Sequence, residues 1–223
     1  MATIETSSGE VSLIGDLGVQ LTDIAFDPNG NLFGISFRNL YSVNADTAET
    51  TLIGGLGIDG ATGLVFGSDG TLYMGSQSST SLFEVDTGTG TAAAIGDMGF
   101  RSGGDLAFVD GNLFLADTQG DLISIDLEPD VAGTRIGSFD RPNVFGIASA
   151  GGTLFGTAGT SIFEVDPADA SVSNVFAFTG DHFGAAYGQA FFSEASPIPL
   201  PAPVAMLLGG IALLGAFGRR RRA

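Results

Sequence analysis

Apolar and polar residues alternate over short segments along most of this chain. Residues 24–26 are apolar, residues 27–31 form a polar stretch with Pro, Asn and Gly, and residues 32–35 are again mostly apolar. Short alternating runs bounded by such residues predict β-strands joined by tight turns. Residues 40–43 and 51–53 repeat the pattern around a second polar turn. Two consecutive β-hairpins are therefore predicted here, and no amphipathic helix is predicted in the body of the chain.

This pair of hairpins recurs. Its anchor leucine returns about every 40 residues, at Leu32, Leu72, Leu113 and Leu154. The first hairpin falls at residues 21–36, 61–76, 103–117 and 144–159, and the second at 39–54, 81–96, 121–137 and 161–176. Four strands in a repeat of this length predict the blade of a β-propeller. A β-solenoid is the alternative, although its repeats are usually shorter.

Each end of the repeat array carries half a unit. Residues 2–15 match the second hairpin, and residues 183–195 echo the first. Pairing of the two halves would close the ring and remove exposed sheet edges. We therefore predict an all-β fold for residues 1–195, a propeller of five four-stranded blades with a composite closing blade.

Composition agrees with this fold and excludes several functions. The chain has 35 Gly and 18 Phe, as expected of short strands joined by tight turns, and it has no Cys. Disulfides, zinc–thiolate sites and a thiol nucleophile are therefore excluded. The 25 acidic residues outnumber the eight basic ones, which are all Arg and half of which lie at the C-terminus. Such an acidic surface repels phosphates, so no nucleic-acid partner is expected.

The C-terminal segment differs from the body. No charged residue lies between Ala195 and Gly218, and residues 204–217 are wholly apolar or Gly. This stretch is short for a membrane helix, which needs roughly 17–25 residues, but including residues 198–203 lengthens it enough. We therefore predict a Pro-rich linker at 196–203, a transmembrane helix at 204–218 and a basic cytoplasmic tail at 219–223, which orients the body outward. A buried helix of the globular domain is the alternative, but four consecutive Arg and the preceding prolines disfavour it.

This tail resembles a known sorting signal. The motif consists of Ile198, Pro199, Leu200, Pro201 and Ala202, and the apolar stretch is followed by Arg219, Arg220, Arg221 and Arg222. The order is similar to the VPLPA variety of PEP-CTERM signals, with Ile198 where that family usually has Val. The resemblance implies an exosortase-type membrane protease as a partner and processing at or near the motif. It also implies export, anchoring in the inner membrane, and then a cell-surface or extracellular location.

The start of the chain bears on this expectation. Residues 1–6 contain neither a basic start nor an apolar run, so they show no signal-peptide pattern. Export then favours a truncated or misassigned start.

The body resembles NHL and SMP-30-like propellers, because their blades carry Asp-Pro-x-Gly-Asn-Leu turns like residues 27–32. SMP-30-like lactonases use a metal site built from Glu, Asn and Asp. No residues of this chain match those motifs, and no metal or other cofactor is predicted.

The recurring polar residues favour structural roles. Residues 27–31 lack the alternating ligands and distant acid of a calcium loop. Four residues recur just after the third strand of each repeat: Asn44, Asp86, Asp126 and Asp166. Such recurrence favours a turn role, with weak cation binding as the alternative. His182 is the only His and lacks a Ser or Cys partner, so a structural or solvated role is favoured over catalysis.

Two further sets of residues are assigned to surface and core. Glu84 and Glu164 alternate with apolar residues and are expected at the surface. The recurring Phe26, Phe66, Phe108 and Phe145 are expected in the core between blades.

Three functions remain open. The first is a non-catalytic surface or matrix protein, not an enzyme, that binds glycan (an exopolysaccharide, for example) or protein through its loops. The second is a metal-dependent, lactonase-like hydrolase, which requires acids and Asn from different blades to converge on the ring axis. A channel lined by apolar residues or Gly would contradict it. The third is a degenerate array with only a structural role, because the fold alone does not decide function.

Overall fold

The computed structural model describes residues 1–5, 10–178 and 188–191, which contain eighteen β-strands and no helix. A hairpin is formed by β1 (Ala2–Ile4) and β2 (Val11–Leu13). Blade 1 contains β3 (Asp23–Phe26), β4 (Leu32–Ile35), β5 (Asn39–Val43) and β6 (Thr50–Gly55). Blade 2 contains β7 (Ala61–Phe66), β8 (Leu72–Ser76), β9 (Ser81–Val85) and β10 (Ala92–Asp97).

Blades 3 and 4 repeat this arrangement. Blade 3 contains β11 (Ser102–Val109), β12 (Asn112–Asp117), β13 (Asp121–Asp126) and β14 (Ala132–Ser138). Blade 4 contains β15 (Val144–Ala150), β16 (Thr153–Ala158), β17 (Ser161–Val165) and β18 (Val172–Ala177). Every sheet is antiparallel with its strands in chain order. The prediction of a β-propeller of four-stranded blades is therefore confirmed for four blades.

The first strand of each blade lies nearest the ring axis. β3 packs on β7, β7 on β11, and β11 on β15, so the first strands of successive blades are neighbours. β7 is buried along its whole length, whereas most of β18 is exposed. The fourth strand is therefore the outer edge of its blade.

The core lies between neighbouring blades. Phe33 of blade 1 and Phe66 of blade 2 place their ring centroids 5.4 Å apart, and Tyr73 and Phe108 lie 5.7 Å apart across the next interface. Burying an aromatic or large aliphatic side chain contributes roughly 1.5–3 kcal/mol. The predicted core role is confirmed for the buried Phe66. Phe26, Phe108 and Phe145 are half-buried, and Phe108 packs against the core cluster between blades 2 and 3.

In blades 1 to 3, a glycine in the outer strand allows close packing against the next blade. The glycine contacts the turn that joins the third and fourth strands of that blade. Gly54 of blade 1 contacts Thr89 of blade 2, and Gly137 of blade 3 contacts Asp169 of blade 4. Gly15, just after β2, makes the equivalent approach to Thr47 of blade 1, where a Cβ would lie 2.6 Å from the Thr47 carbonyl oxygen. The β1–β2 hairpin thus flanks blade 1 as a fourth strand would.

The G54A substitution should destabilise the fold by about 2 kcal/mol, because a methyl group there would overlap the carbonyl oxygen of Thr89. G55A is the matched control, since a Cβ at Gly55 has Asn39 Oδ1 as its nearest neighbour, at 3.8 Å. Urea denaturation of both variants measures the difference. Equal stabilities would show that the blades do not dock through this glycine.

The polar turns have the predicted structural role. Asp27 Oδ1 accepts hydrogen bonds from the backbone N–H groups of Asn29 and Asn31, at 2.9 and 2.8 Å. Asn44, Asp86 and Asp166 each accept backbone N–H bonds from residues two or three positions later. These side chains cap their own turns, as the sequence pattern predicts.

Candidate ligand site on the loop face

The two ends of the ring differ in charge. The turns that join first to second and third to fourth strands form one end, called here the turn face. In blades 1 to 4 they carry only acidic charges, at Asp27, Asp46, Glu49, Asp69, Asp86, Asp110, Glu128, Asp130, Asp166 and Asp169. The connections at the opposite end, the loop face, carry Arg38, Arg101 and Arg141 beside Asp59 and Asp140. The turn face therefore repels anions more strongly.

The loop face holds a cavity of about 600 Å³ between blades 1 and 2. It is lined by residues 36–38 of the β4–β5 connection and Asn39 at the start of β5, by residues 59–60 that precede β7, and by residues 77–78 after β8. Three separate connections thus build it, and each is anchored by a buried strand. A cavity of this volume suits a small ligand.

An ion pair forms one side of this cavity. The Arg38 guanidinium donates through Nε and Nη2 to the two carboxylate oxygens of Asp59, with 3.0 Å between Nη2 and Oδ2. The two side chains are 72% and 60% exposed, so the pair contributes little to stability. The hydrogen bond from Arg38 lowers the pKa of the Asp59 carboxyl, which is therefore ionised at neutral pH.

The other lining groups offer an aromatic face and polar side chains. Phe37 is 43% exposed, which is unusual for a large apolar residue. Gln77 and Ser78 are also exposed, and among the described residues their side chains make no hydrogen bond. An apolar surface beside a few polar groups is typical of small-molecule sites.

A second polar site lies inside the ring. Asp23 of β3 and Asp105 of β11 are 1% and 0% exposed, and their carboxyl groups are hydrogen-bonded to each other. The two strands belong to non-adjacent blades, so the carboxyls meet across the ring axis. Two carboxyls in such contact share one proton, because both cannot ionise at low cost.

These two carboxyls also accept backbone hydrogen bonds from five segments. Asp23 accepts from the N–H groups of Ile24, Leu64 and Gln189. Asp105 accepts from those of Leu106 and Ile147. The donors come from the first strands of all four blades and from residues 188–191. The pair thus links every segment that the structure places around the axis.

Burial raises the pKa of Asp23 well above its usual value of 3.8, although its hydrogen bonds to Asp105 and to backbone groups act in the opposite direction. The desolvation effect is the largest of these. One proton of the pair is therefore retained above the pH at which exposed aspartates ionise.

The residues present do not fit a metal site on the axis. Within residues 1–5, 10–178 and 188–191, no three His, Cys, Asp or Glu side chains are grouped to hold an ion. Each of the four oxygens of Asp23 and Asp105 already accepts a backbone N–H. Acids from two blades do converge on the axis, as the hydrolase hypothesis requires, but the equivalent positions in the other two blades are Gly63 and Gly146.

Several predicted residues can be placed. Glu84 is exposed, as predicted, and Glu164 is half-buried and accepts a hydrogen bond from Asn174 Nδ2. His182, the sorting motif at 198–202, the predicted membrane helix and the Arg cluster at 219–222 lie outside the described residues. No helix long and apolar enough to cross a membrane occurs in the part of the chain that the structure describes.

Sequence comparison finds neither a matching protein-family model nor a matching curated protein. Solved structures do match. A gluconolactonase from Xanthomonas campestris superposes with a TM-score of 0.56 at 17% identity, over 80% of this chain and 67% of that one. A glutaminyl cyclase from Myxococcus xanthus gives 0.56 at 17% identity, over 89% and 76%. A nidogen–laminin complex gives 0.57 at 15% identity, over 75% and 66%.

By fold, the chain is therefore a β-propeller like those of these structures, which confirms the propeller fold that the predicted resemblance implied. Identities this low establish the fold alone. The prediction that the chain is not an enzyme is contradicted, because a gluconolactonase and a glutaminyl cyclase share its fold. The prediction relied on the absence of a catalytic motif in the sequence. The Arg38–Asp59 pair could not be recognised as a motif there, because its members are 21 residues apart.

Proposed function

We propose that this chain is a hydrolytic propeller that takes a small, uncharged, polyhydroxylated cyclic ester of the sugar-lactone class in its loop-face cavity. The observation that carries the proposal is the Arg38–Asp59 pair beside the exposed Phe37 in a cavity of about 600 Å³. The shared fold with a gluconolactonase supports the same reaction class.

The roles follow from the chemistry of the two charged groups. Asp59 is ionised and accepts a proton from a water molecule as that water adds to the lactone carbonyl carbon. The Arg38 guanidinium stabilises the negative oxygen of the tetrahedral intermediate. The ring C–O bond then breaks, and the proton on Asp59 passes to the leaving alkoxide. The product is a hydroxy acid.

Binding rests on the remaining lining groups. The Phe37 ring offers an apolar surface to the C–H face of a sugar ring, and Gln77 and Ser78 offer hydrogen bonds to its hydroxyls. Arg38 is already neutralised by Asp59, so the cavity suits a neutral substrate. The net charge of −17 on the chain disfavours binding of the anionic product and so promotes release of that product.

The test is hydrolysis of glucono-δ-lactone by the purified chain, followed by pH-stat titration. A rate well above the spontaneous rate, saturable in substrate and unchanged by chelators, is expected. A rate equal to the spontaneous one across a panel of five- and six-membered sugar lactones would reject the proposal.

We also infer that the ring closes through a composite fifth blade. Gly15 contacts blade 1 as the outer-strand glycines of blades 1 to 3 contact the blades that follow them. Residues 188–191 bring the Gln189 N–H to Asp23 in the way that Leu64 of blade 2 does. The β1–β2 hairpin then supplies the outer half of this blade, and the C-terminal half-unit supplies the inner one.

The location of the protein is proposed from its sequence. The motif at 198–202, the apolar stretch and the Arg cluster support export, a membrane anchor and an exosortase-type partner, so that the propeller acts at the cell surface or outside the cell. Mass spectrometry of the mature chain from its host should find the C-terminus near residues 198–202. An intact tail on a cytosolic protein would contradict this.

A further inference from the structure

The local backbone around Asp59 does not by itself fix the position of this residue. Asp59 lies in the connection between β6 and β7, and its side chain is exposed. Gly57 and Gly60 lie on either side of it with φ of +74° and +75°, and a Cβ at Gly57 would have no atom within 4 Å. Glycine is the most permissive residue in a backbone, so this connection could adopt other shapes. Contacts with other parts of the chain must therefore hold Asp59 at the cavity.

Ser76 supplies such a contact. It is the last residue of β8 and is fully buried. Its hydroxyl donates to the Asp59 carbonyl oxygen at 2.9 Å and accepts the Ser78 N–H at 3.0 Å. Beside it, the Gln77 N–H donates to the Gly60 carbonyl oxygen at 2.8 Å. One buried side chain thus joins two of the three connections that line the cavity.

The bond from Ser76 to the preceding connection is not a requirement of the blade fold. Four residues after the anchor leucine, the other blades carry Ser36, Asp117 and Ala158. Ser36 and Asp117 accept N–H groups of the residues that follow them, as Ser76 does. Within the described residues, none of these three side chains donates a hydrogen bond to the connection before its blade. The additional bond is found only where that connection carries Asp59.

We propose that Ser76 is a positioning residue for lactone hydrolysis, a role that rests on the proposed function. Its hydroxyl holds the Asp59 backbone, so that the carboxylate stays against Arg38 and both charged groups face the same substrate carbonyl. Apart from this bond, no hydrogen bond among the described residues reaches the backbone between Leu56 and Gly60. Removal of the hydroxyl therefore leaves the Asp59 backbone held only through its neighbours.

Loss of this bond should lower kcat more than it changes KM. Displacement of a reacting group by about 1 Å can cost about a hundredfold in rate, and a loosened Asp59 is displaced for part of the time, so S76A should reduce kcat roughly tenfold. KM should change less, because Phe37 and Arg38 lie in a connection that Ser76 does not contact.

The Asp59 carboxyl reports its position independently of activity. The hydrogen bond from Arg38 lowers the pKa of this carboxyl, so weaker contact in S76A should raise the pKa toward its usual value of 3.8. The carboxyl stays ionised at neutral pH in both chains. A lower kcat at neutral pH then reflects the position of the base and not its protonation.

The test combines steady-state lactone hydrolysis at neutral pH with a carbon-13 NMR titration of the Asp59 carboxyl, both on the full chain. S76T keeps the hydroxyl and should recover most of the native kcat and pKa. S149A is the matched control, because it removes another buried serine hydroxyl that donates to a carbonyl, that of Phe108, near the turn face. It should match the native chain. S76C keeps the size of the side chain with a weaker donor, and it replaces S76A if the alanine variant does not fold.

The outcomes separate this role from the proposed function. Native kcat and native Asp59 pKa in S76A, or in S76C, would overturn the positioning role and leave the hydrolysis intact. An equal loss of kcat in S76A, S76T and S149A would also overturn it, because general packing would then explain the effect. If the native chain hydrolyses no lactone, the proposed function fails. The titration then decides whether Ser76 holds Asp59 against Arg38, since a raised pKa in S76A supports this and an unchanged one contradicts it.

Discussion

Replacing Asp59 by asparagine should slow lactone hydrolysis by at least about a hundredfold, since positioned general bases contribute roughly 10²–10⁴ in rate. The substitution keeps the shape of the side chain and one of the two hydrogen bonds that residue 59 accepts from Arg38, but it removes the charge that accepts a proton from water. The loss should appear in kcat, with KM little changed, because the substituted side chain still lines the cavity. Steady-state titration of acid release measures both constants.

D121N is the matched control for this experiment. Asp121 forms a second Arg–Asp pair with Arg135. It lies in blade 3, away from the cavity. Its replacement removes the same charge and weakens the same kind of ion pair, so D121N should hydrolyse lactone at the native rate. Equal activity in D59N and the native chain would remove Asp59 from the mechanism.

Replacing Asp23 by alanine should lower the free energy of unfolding by about 3–5 kcal/mol. Three backbone N–H groups, those of Ile24, Leu64 and Gln189, would lose their acceptor at a buried site. Each unsatisfied buried donor costs about 1–3 kcal/mol, and partial relaxation with entry of water reduces the total. Chemical denaturation of D23A and of the native chain in the same buffer measures this cost.

Asp27 provides a comparison for Asp23 at an exposed position. It accepts three hydrogen bonds within its turn, from the N–H groups of Asn29 and Asn31 and from Asn31 Nδ2. These donors are solvated when the carboxyl is removed, so D27A should cost about 1 kcal/mol or less. A similar loss of unfolding free energy in D23A and D27A would contradict the burial of the Asp23 carboxyl at the centre of the ring.

Much of the propeller could be predicted from the sequence because its determinants are local. The return of the anchor leucine and the alternation around turns such as 27–31 fixed the blades, since strand pairing within a blade involves only neighbouring strands. The turn roles of Asn44, Asp86 and Asp166 followed from their recurrence, because a capping side chain bonds to the backbone just after it.

The central carboxyl pair was not predicted, because its members contact each other across the ring. Asp23 and Asp105 each look like an ordinary polar residue at the edge of an apolar strand. A signal was present, since four aligned strands carry Asp, Gly, Asp and Gly immediately before an apolar residue. That alternation indicates a position where only some blades can place a side chain.

The Arg38–Asp59 pair was missed for a related reason. Its members lie in different connections 21 residues apart, and only the packing of blade 1 against blade 2 brings them together. Arg38 is nevertheless one of only four Arg residues outside the C-terminal cluster. Such a scarce cation in a strongly acidic chain is a reason to ask what it contacts.

The location of the ligand tests the account most directly. Titration of the isotopically labelled chain with gluconate, the stable product of the proposed reaction, can be followed by amide chemical shifts. The account predicts saturable shifts at residues 36–39, 59–60 and 77–78, reached at high ligand concentration, with the turn-face residues 27–31 and 86–91 unchanged. Shifts confined to the turn face, or none at any concentration, would contradict a ligand site on the loop face.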